Sequence, residues 1–149
     1  MYTISVPPEY GWVILAAGVG PIITGGILSG AVMNARKRFN IPYPNLYAVP
    51  GYHDKADEFN RVQRGHQNWM EMLDQYIALT LLGGLKYPIV CAVGSVFFFA
   101  GSVFYQRGYS DTSLDVATAR YKKGGVIKWI GFFASLISTC VLAYSVITA

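Results

Sequence analysis

Between Trp12 and Met33 the sequence WVILAAGVGPIITGGILSGAVM carries no charged side chain. The hydrocarbon core of a bilayer is about 30 Å thick and takes about 20 apolar residues of helix to cross, so a run of this length reads as a membrane span. It is too long for the apolar part of a cleaved signal peptide, and the preceding MYTISVPPEYG has Glu9 but no lysine or arginine. The span is therefore expected to stay in the mature chain. Composition points the same way: of 149 residues, 53% are apolar, 15% aromatic and only 13% charged, which excludes an ordinary soluble domain.

Three further apolar stretches follow: a weaker one from about Trp69 to Leu85, then Pro88 to Tyr105 (PIVCAVGSVFFFAGSVFY), then about Gly125 to Thr148. Backbone amides cannot go unpaired in lipid, so separated apolar runs of this length imply helices, and the alternation expected of a membrane barrel is missing. The expected fold class is all-α: an integral membrane four-helix bundle forming one domain, 1–149, with spans at about 12–33, 69–85, 88–105 and 125–148. Pro21 is expected to kink the first span. Gly25, Gly26, Ser29 and Gly30 form a small-residue surface suited to close helix packing. No internal repeat or low-complexity segment interrupts the chain.

Cys91 and Cys140 both fall within spans, where a reduced, buried and inert thiol is expected. Neither His53 nor His66 stands with a thiol or carboxylate at ligand spacing, so no metal site is expected. Four spans place the 34–68 and 106–124 segments on one side of the membrane, with both termini and the turn near Lys86 on the other. Arg36, Lys37, Arg38, Lys55, Arg61, Arg64, Arg107, Arg120, Lys122, Lys123 and Lys128 belong to the first side, leaving Lys86 alone opposite. By the positive-inside rule the long loops are cytosolic and both termini are not. In the plainest reading these cations only set topology and touch anionic lipid. No nucleic-acid partner is expected.

The stretch RVQRGHQNWMEMLDQY, residues 61–76, is polar yet runs directly into the second span. On a helix, Asn60, Arg64, Asn68, Glu71 and Gln75 lie along one stripe. A charge near mid-bilayer costs about 2.5–3.5 kcal/mol on insertion scales, so Glu71 and Asp74 should face protein or water. Two readings stay open: Arg64 and Glu71 pair within the bundle, or the stripe lines a pocket near the cytosolic interface for a charged, peptide-like small molecule. Tyr105 and Tyr109, in FYQRGYS, share a helical face at the same depth, either as interfacial anchors or as pocket residues. Arg120, Lys122 and Lys123 open the last helix there. A cation at that place would bind an anion or lower the pKa of a ligand's thiol, and arginine is the better candidate because it keeps its proton.

ARKRFNIPYPNLY, FNRVQRGHQNWME and FYQRGY together resemble the membrane-associated proteins in eicosanoid and glutathione metabolism, the MAPEG family, and look closest to its type 3 microsomal glutathione transferases. The resemblance covers nearly the whole chain, and the QRxHQNxxE pattern is its most specific part. It implies a homotrimer with glutathione sites between neighbouring subunits, open to the cytosol, in the endoplasmic reticulum or outer mitochondrial membrane. It further implies that Arg36, Arg64, Asn68, Glu71, Tyr105 and Tyr109 hold the glutathione peptide, the arginines taking its carboxylates and Glu71 its amino group. Lys37 matches a position where relatives have a second arginine near the acceptor substrate. His66 stands where some relatives have glutamine, and Met72 where some have a glutathione-contacting tyrosine. The thiolate-stabilising arginine of leukotriene-forming relatives comes seven residues after the second tyrosine. Here that position is Val116, and Arg120 takes the role, with Lys122 and Lys123 as substitutes.

The function so implied is an enzyme that activates the thiolate of glutathione, its co-substrate, and delivers it to a lipophilic electrophile or lipid hydroperoxide arriving from membrane lipid. Leukotriene C4 synthase-like conjugation and peroxidase activity share that chemistry. The alternative is a non-catalytic protein of the same fold that binds and presents a lipid. A transporter is disfavoured, because a polar stripe confined to one end of one helix makes no continuous path.

Overall fold

A computed structural model describes residues 5–149. Among them the chain is helical with no strand: α1 is Tyr10–Phe39, α2 Ala56–Gly84, α3 Pro88–Tyr109, α4 Ala119–Lys122 and α5 Lys128–Ile147, with a 3-10 turn at Gly125–Ile127. α1 and the expected first span differ at the C-terminal end. At 30 residues, α1 is about 45 Å long by the helical rise, and its last turn carries Arg36, Lys37 and Arg38. It stops where Asn40 enters the left-handed region (φ 54°) and the Ile41 N–H donates to the Arg36 carbonyl at 3.0 Å. The helix runs unbroken through Pro21.

α2 begins at Ala56 rather than at Trp69. The polar stretch holds no proline and is rich in Gln, Arg, Glu and Met, which lose little freedom in a helix. Asp57 and Glu58 occupy its first turn, where the helix dipole favours carboxylates. A turn at Leu85, Lys86 and Tyr87 joins it to α3, which opens on Pro88, a residue suited to the first turn. α1, α3 and Gly125–Ile147 are long and apolar enough to cross a membrane. α2 is not among them, because Glu71, Asp74 and Gln75 interrupt its apolar half.

α2 and α3 pack on each other, and each packs on both α1 and α5. Leu28, Trp69, Tyr76, Phe98 and Phe99 make the core between them, with the Tyr76 and Phe98 rings stacked at 3.7 Å between centroids. Glycines allow the α3–α5 approach: a Cβ on Gly131 would strike the Gly94 carbonyl, and one on Gly101 would lie 2.7 Å from the Lys128 Cα. In α1 the close contacts are Gly20 under Phe99 and Gly25 under Trp69. Gly26 and Gly30, by contrast, meet nothing within 4 Å, so that part of the small-residue surface is open. Trp12, Ile22, Ile23, Val96, Ile137 and Val146 face outward, the inside-out pattern of a lipid-facing surface. Cys91 is buried as expected, whereas Cys140 is exposed on that outer face.

Candidate functional site

The loop between α1 and α2 is tied down from both sides. Arg36 Nη2 donates to the Asn45 carbonyl at 2.7 Å, and its guanidinium lies 4.5 Å from the Tyr43 ring centroid. From α2, Asn60 Oδ1 accepts from the Ala48 N–H at 2.8 Å while its Nδ2 donates to the Ala48 carbonyl at 2.9 Å. Beneath the loop a small core of Val32, Ala35, Ile41, Ala48, Ala56 and Phe59 fixes it to the helices. Tyr47 is thereby set over α2, where its hydroxyl donates to Gln67 Oε1. Tyr47, Asn60, Arg64, Tyr109 and Val116 line one cavity of about 370 Å³.

One turn deeper, Arg64 Nη1 donates to Glu71 Oε1 at 2.7 Å. The residues are seven apart, two turns of helix, so the long arginine reaches along the stripe to make the pair. Both side chains stay open, 43% and 46% exposed, and an exposed pair contributes about 0–1 kcal/mol. A zwitterionic ligand with a carboxylate for Arg64 and an ammonium for Glu71 would replace it at small cost. Between them on the stripe, Asn68 Oδ1 accepts from Lys128 Nζ at 2.6 Å.

Across from α2, the Tyr105 and Tyr109 rings lie 6.2 Å apart. The short α4 brings Arg120 to the same place: its guanidinium is 5.6 Å from the Tyr109 ring and 5.8 Å from the Tyr121 ring. Nη2 donates to the Ala117 carbonyl at 3.3 Å, and the buried Nε has no partner. The Tyr105 hydroxyl beside it raises the guanidinium above its ordinary value, and an arginine keeps its proton in any case. Lys123 is committed elsewhere, to Asp111 at 2.6 Å. That ammonium and the Ser113 donors hold the Asp111 carboxyl well below the usual carboxylate range. Lys122 is exposed.

The model of the MAPEG family matches residues 13–148. The chain belongs to the MAPEG family. That family includes glutathione transferases and related membrane proteins, and its members use glutathione. With its apolar helices, this MAPEG chain is a multi-pass membrane protein.

Within the single MAPEG chain, Arg64, Asn68, Glu71, Tyr105, Tyr109 and Arg120 lie in one region. Three of the expected residues do not join them. Arg36 braces its own loop, and Lys37 is exposed on α1. His66 points from a different face of α2, where it stands by Trp69 and lines a groove with Gly25, Ser29 and Asp74. Three residues near the cluster were not foreseen: Tyr47, Lys128 and Arg61. Arg61, counted among the surface cations, is buried, and donates to the carbonyls of Tyr109, Asp111 and Leu114 at 2.7, 2.8 and 3.2 Å. Its spacing of three from Arg64 put it on a neighbouring face, and that was the only signal available. Among the described residues no cluster suited to a metal ion occurs.

Proposed function

We propose that this chain is a glutathione transferase with glutathione-dependent peroxidase activity, of the type 3 microsomal kind, working at the cytosolic face of the endoplasmic reticulum or outer mitochondrial membrane. The observation that carries the reading is Arg120: a permanently charged guanidinium among Tyr105, Tyr109 and Tyr121, with no carboxylate partner among the described residues, close to an ion pair that a zwitterion can open. Arg64 takes a glutathione carboxylate, Glu71 its amino group, and Asn68 with the tyrosines the peptide between. Arg36, Lys37 and His66 lie off this cluster, so their expected roles need a neighbouring copy, as a homotrimer with sites between subunits supplies. The exposed Glu71, Asp74 and Gln75 at membrane depth favour such a cover.

In the reaction the thiol gives its proton to water and Arg120 stabilises the thiolate. Lowering a thiol pKa from about 8.5 toward 6 raises its ionised fraction at neutral pH from a few per cent to a majority. With an electrophile, sulfur forms a bond to carbon and a leaving group such as halide departs. With an epoxide, the attacked C–O bond breaks and the oxygen stays on the neighbouring carbon, taking a proton to become a hydroxyl. With a hydroperoxide, sulfur attacks the distal oxygen, the O–O bond breaks, and the alkoxide takes a proton to give the alcohol. A second glutathione then reduces the sulfenic acid, giving disulfide and water.

A second reading, a non-catalytic lipid-presenting protein, draws on the apolar groove of about 520 Å³ between α1 and α3, lined by Trp12, Leu15, Val19, Ile23, Val93 and Val96. One experiment separates the two. The purified protein in detergent is given 1-chloro-2,4-dinitrobenzene, a leukotriene epoxide and a fatty-acid hydroperoxide, each with and without glutathione. Glutathione-dependent loss of any of them is expected; no loss of all three, with glutathione giving no heat in calorimetry, refutes the enzyme reading.

A further inference from the structure

Lys128 opens α5 and is 1% exposed. Among the described residues no carboxylate pairs with it. A buried cation without a counter-ion is costly unless its protons are all used. An ammonium has three protons and accepts nothing. Here Nζ meets Asn68 Oδ1 at 2.6 Å, Met72 Sδ at 3.5 Å and the face of Tyr105 at 4.0 Å from its centroid. An amide oxygen, a soft sulfur and a π face thus take the donors that a carboxylate would otherwise take. The backbone is equally constrained, because Gly101 leaves no room for a Cβ against it. Arg120, which acts on it electrostatically, is a like charge and no counter-ion.

The consequence falls on Asn68. A carboxamide has an accepting end and a donating end, and in a solvated site it can present either. Lys128 only donates, so it fixes the oxygen of Asn68 inward and leaves both N–H groups for the ligand side, between Arg64 and Glu71. We infer that Lys128 is a positioning residue: through Asn68 it makes this point of the α2 stripe a pure donor, selecting a ligand group that only accepts, such as a carboxylate or peptide carbonyl. That this group belongs to glutathione rests on the function proposed above; the orientation of Asn68 does not.

The test has two arms. In asparagine-selective 15N spectra of the detergent-solubilised protein, the Asn68 side-chain pair is assigned by its loss in Asn68→Ala. Lys128→Met is expected to shift and broaden it, and Lys128→Arg, still donor-only, to restore it. An Asn68 signal unmoved by Lys128→Met overturns the proposal even if glutathione does not bind, an outcome that would by itself sink only the functional reading. In calorimetry with glutathione, Lys128→Met is expected to weaken binding about tenfold. The double variant with Asn68→Ala should weaken it no further than Asn68→Ala alone, whereas losses that add would overturn the proposal. Should Lys128→Met fail to fold, Asn68→Asp decides: it keeps the contact with Lys128, so its Tm is maintained or raised, yet it offers no donor and loses binding. Unchanged binding in Asn68→Asp overturns the inference.

Discussion

Toward its Gly84 end, α2 presents Tyr76, Thr80 and the Leu79 carbonyl to α3 and α5. Tyr76 donates to Ser95 at 3.1 Å, Thr80 shares a 3.0 Å bond with Ser135, and the Leu79 carbonyl accepts from Thr139 at 2.7 Å. Toward its Ala56 end the same helix presents Arg64, Asn68 and Glu71, and there the arrangement is open: an ion pair half in solvent, facing an arginine without an anion. Buried polar groups in the first region are satisfied inside the chain, as a low dielectric requires. Those in the second keep capacity for something brought from outside. A region whose bonds are all internal holds the fold, and one whose bonds are incomplete is available for chemistry.

Substitutions should divide along that line. The largest effect is expected where the closed region has no slack: Gly131→Leu pushes a side chain into the Gly94 carbonyl and should cost about 3 kcal/mol or more, read as loss of the monodisperse peak after detergent extraction. Next comes Arg61→Met, which strips donors from the carbonyls of Tyr109, Asp111 and Leu114. About 2–4 kcal/mol of stability should go with it, with faster hydrogen exchange across 109–114. Arg120→Ala reverses the pattern. Stability should move by no more than about 0.5 kcal/mol, glutathione should still bind, and turnover should fall on the order of a hundredfold. The absorbance of the bound thiolate should titrate at higher pH than in the unaltered protein. Glu71→Gln should change stability by less than about 1 kcal/mol but weaken glutathione in calorimetry. If Glu71→Gln unfolded the protein instead, the contrast between the two regions would be lost.

The smallest effect tests the loop at the edge of the open region. Lys123 holds the folded Asp111 carboxyl well below the ordinary carboxylate range. A depressed carboxylate pKa contributes stability above the unfolded value, and that contribution is lost as pH falls through the folded value. Slow exchange of the Ser113 and Leu114 amides should therefore persist from neutral pH down past the ordinary carboxylate range. Asp111→Asn should abolish this persistence.

α1, α3 and α5 were legible because an uninterrupted apolar run has one solution in lipid. Their ends were less so. The extension of α1 to Phe39 depends on a left-handed Asn40, and the early start of α2 on a polar stretch whose residues favour helix without advertising a buried face. α4 is four residues within a loop, too short for any periodicity to register. At the site, the spacing of Arg64, Asn68 and Glu71 disclosed a shared face, and chemistry favoured Arg120 over its lysine neighbours. Arg61 and Lys128 were hidden because a cation at a membrane edge serves equally as a topology signal. Only the fold reveals that these two turn inward. Tyr47 reaches α2 through loop contacts that no local pattern encodes.

The tight turn at Leu85, Lys86 and Tyr87 bears on biosynthesis. α2 on its own is a poor candidate for partitioning from the translocation machinery into lipid, because its acidic groups penalise entry. α3, joined to it by so brief a connection, is strongly favoured there. The two are therefore suited to insert as a paired unit, the greasier helix recruiting its reluctant neighbour, and lengthening that connection should leave newly made chains with α2 stranded outside the bilayer.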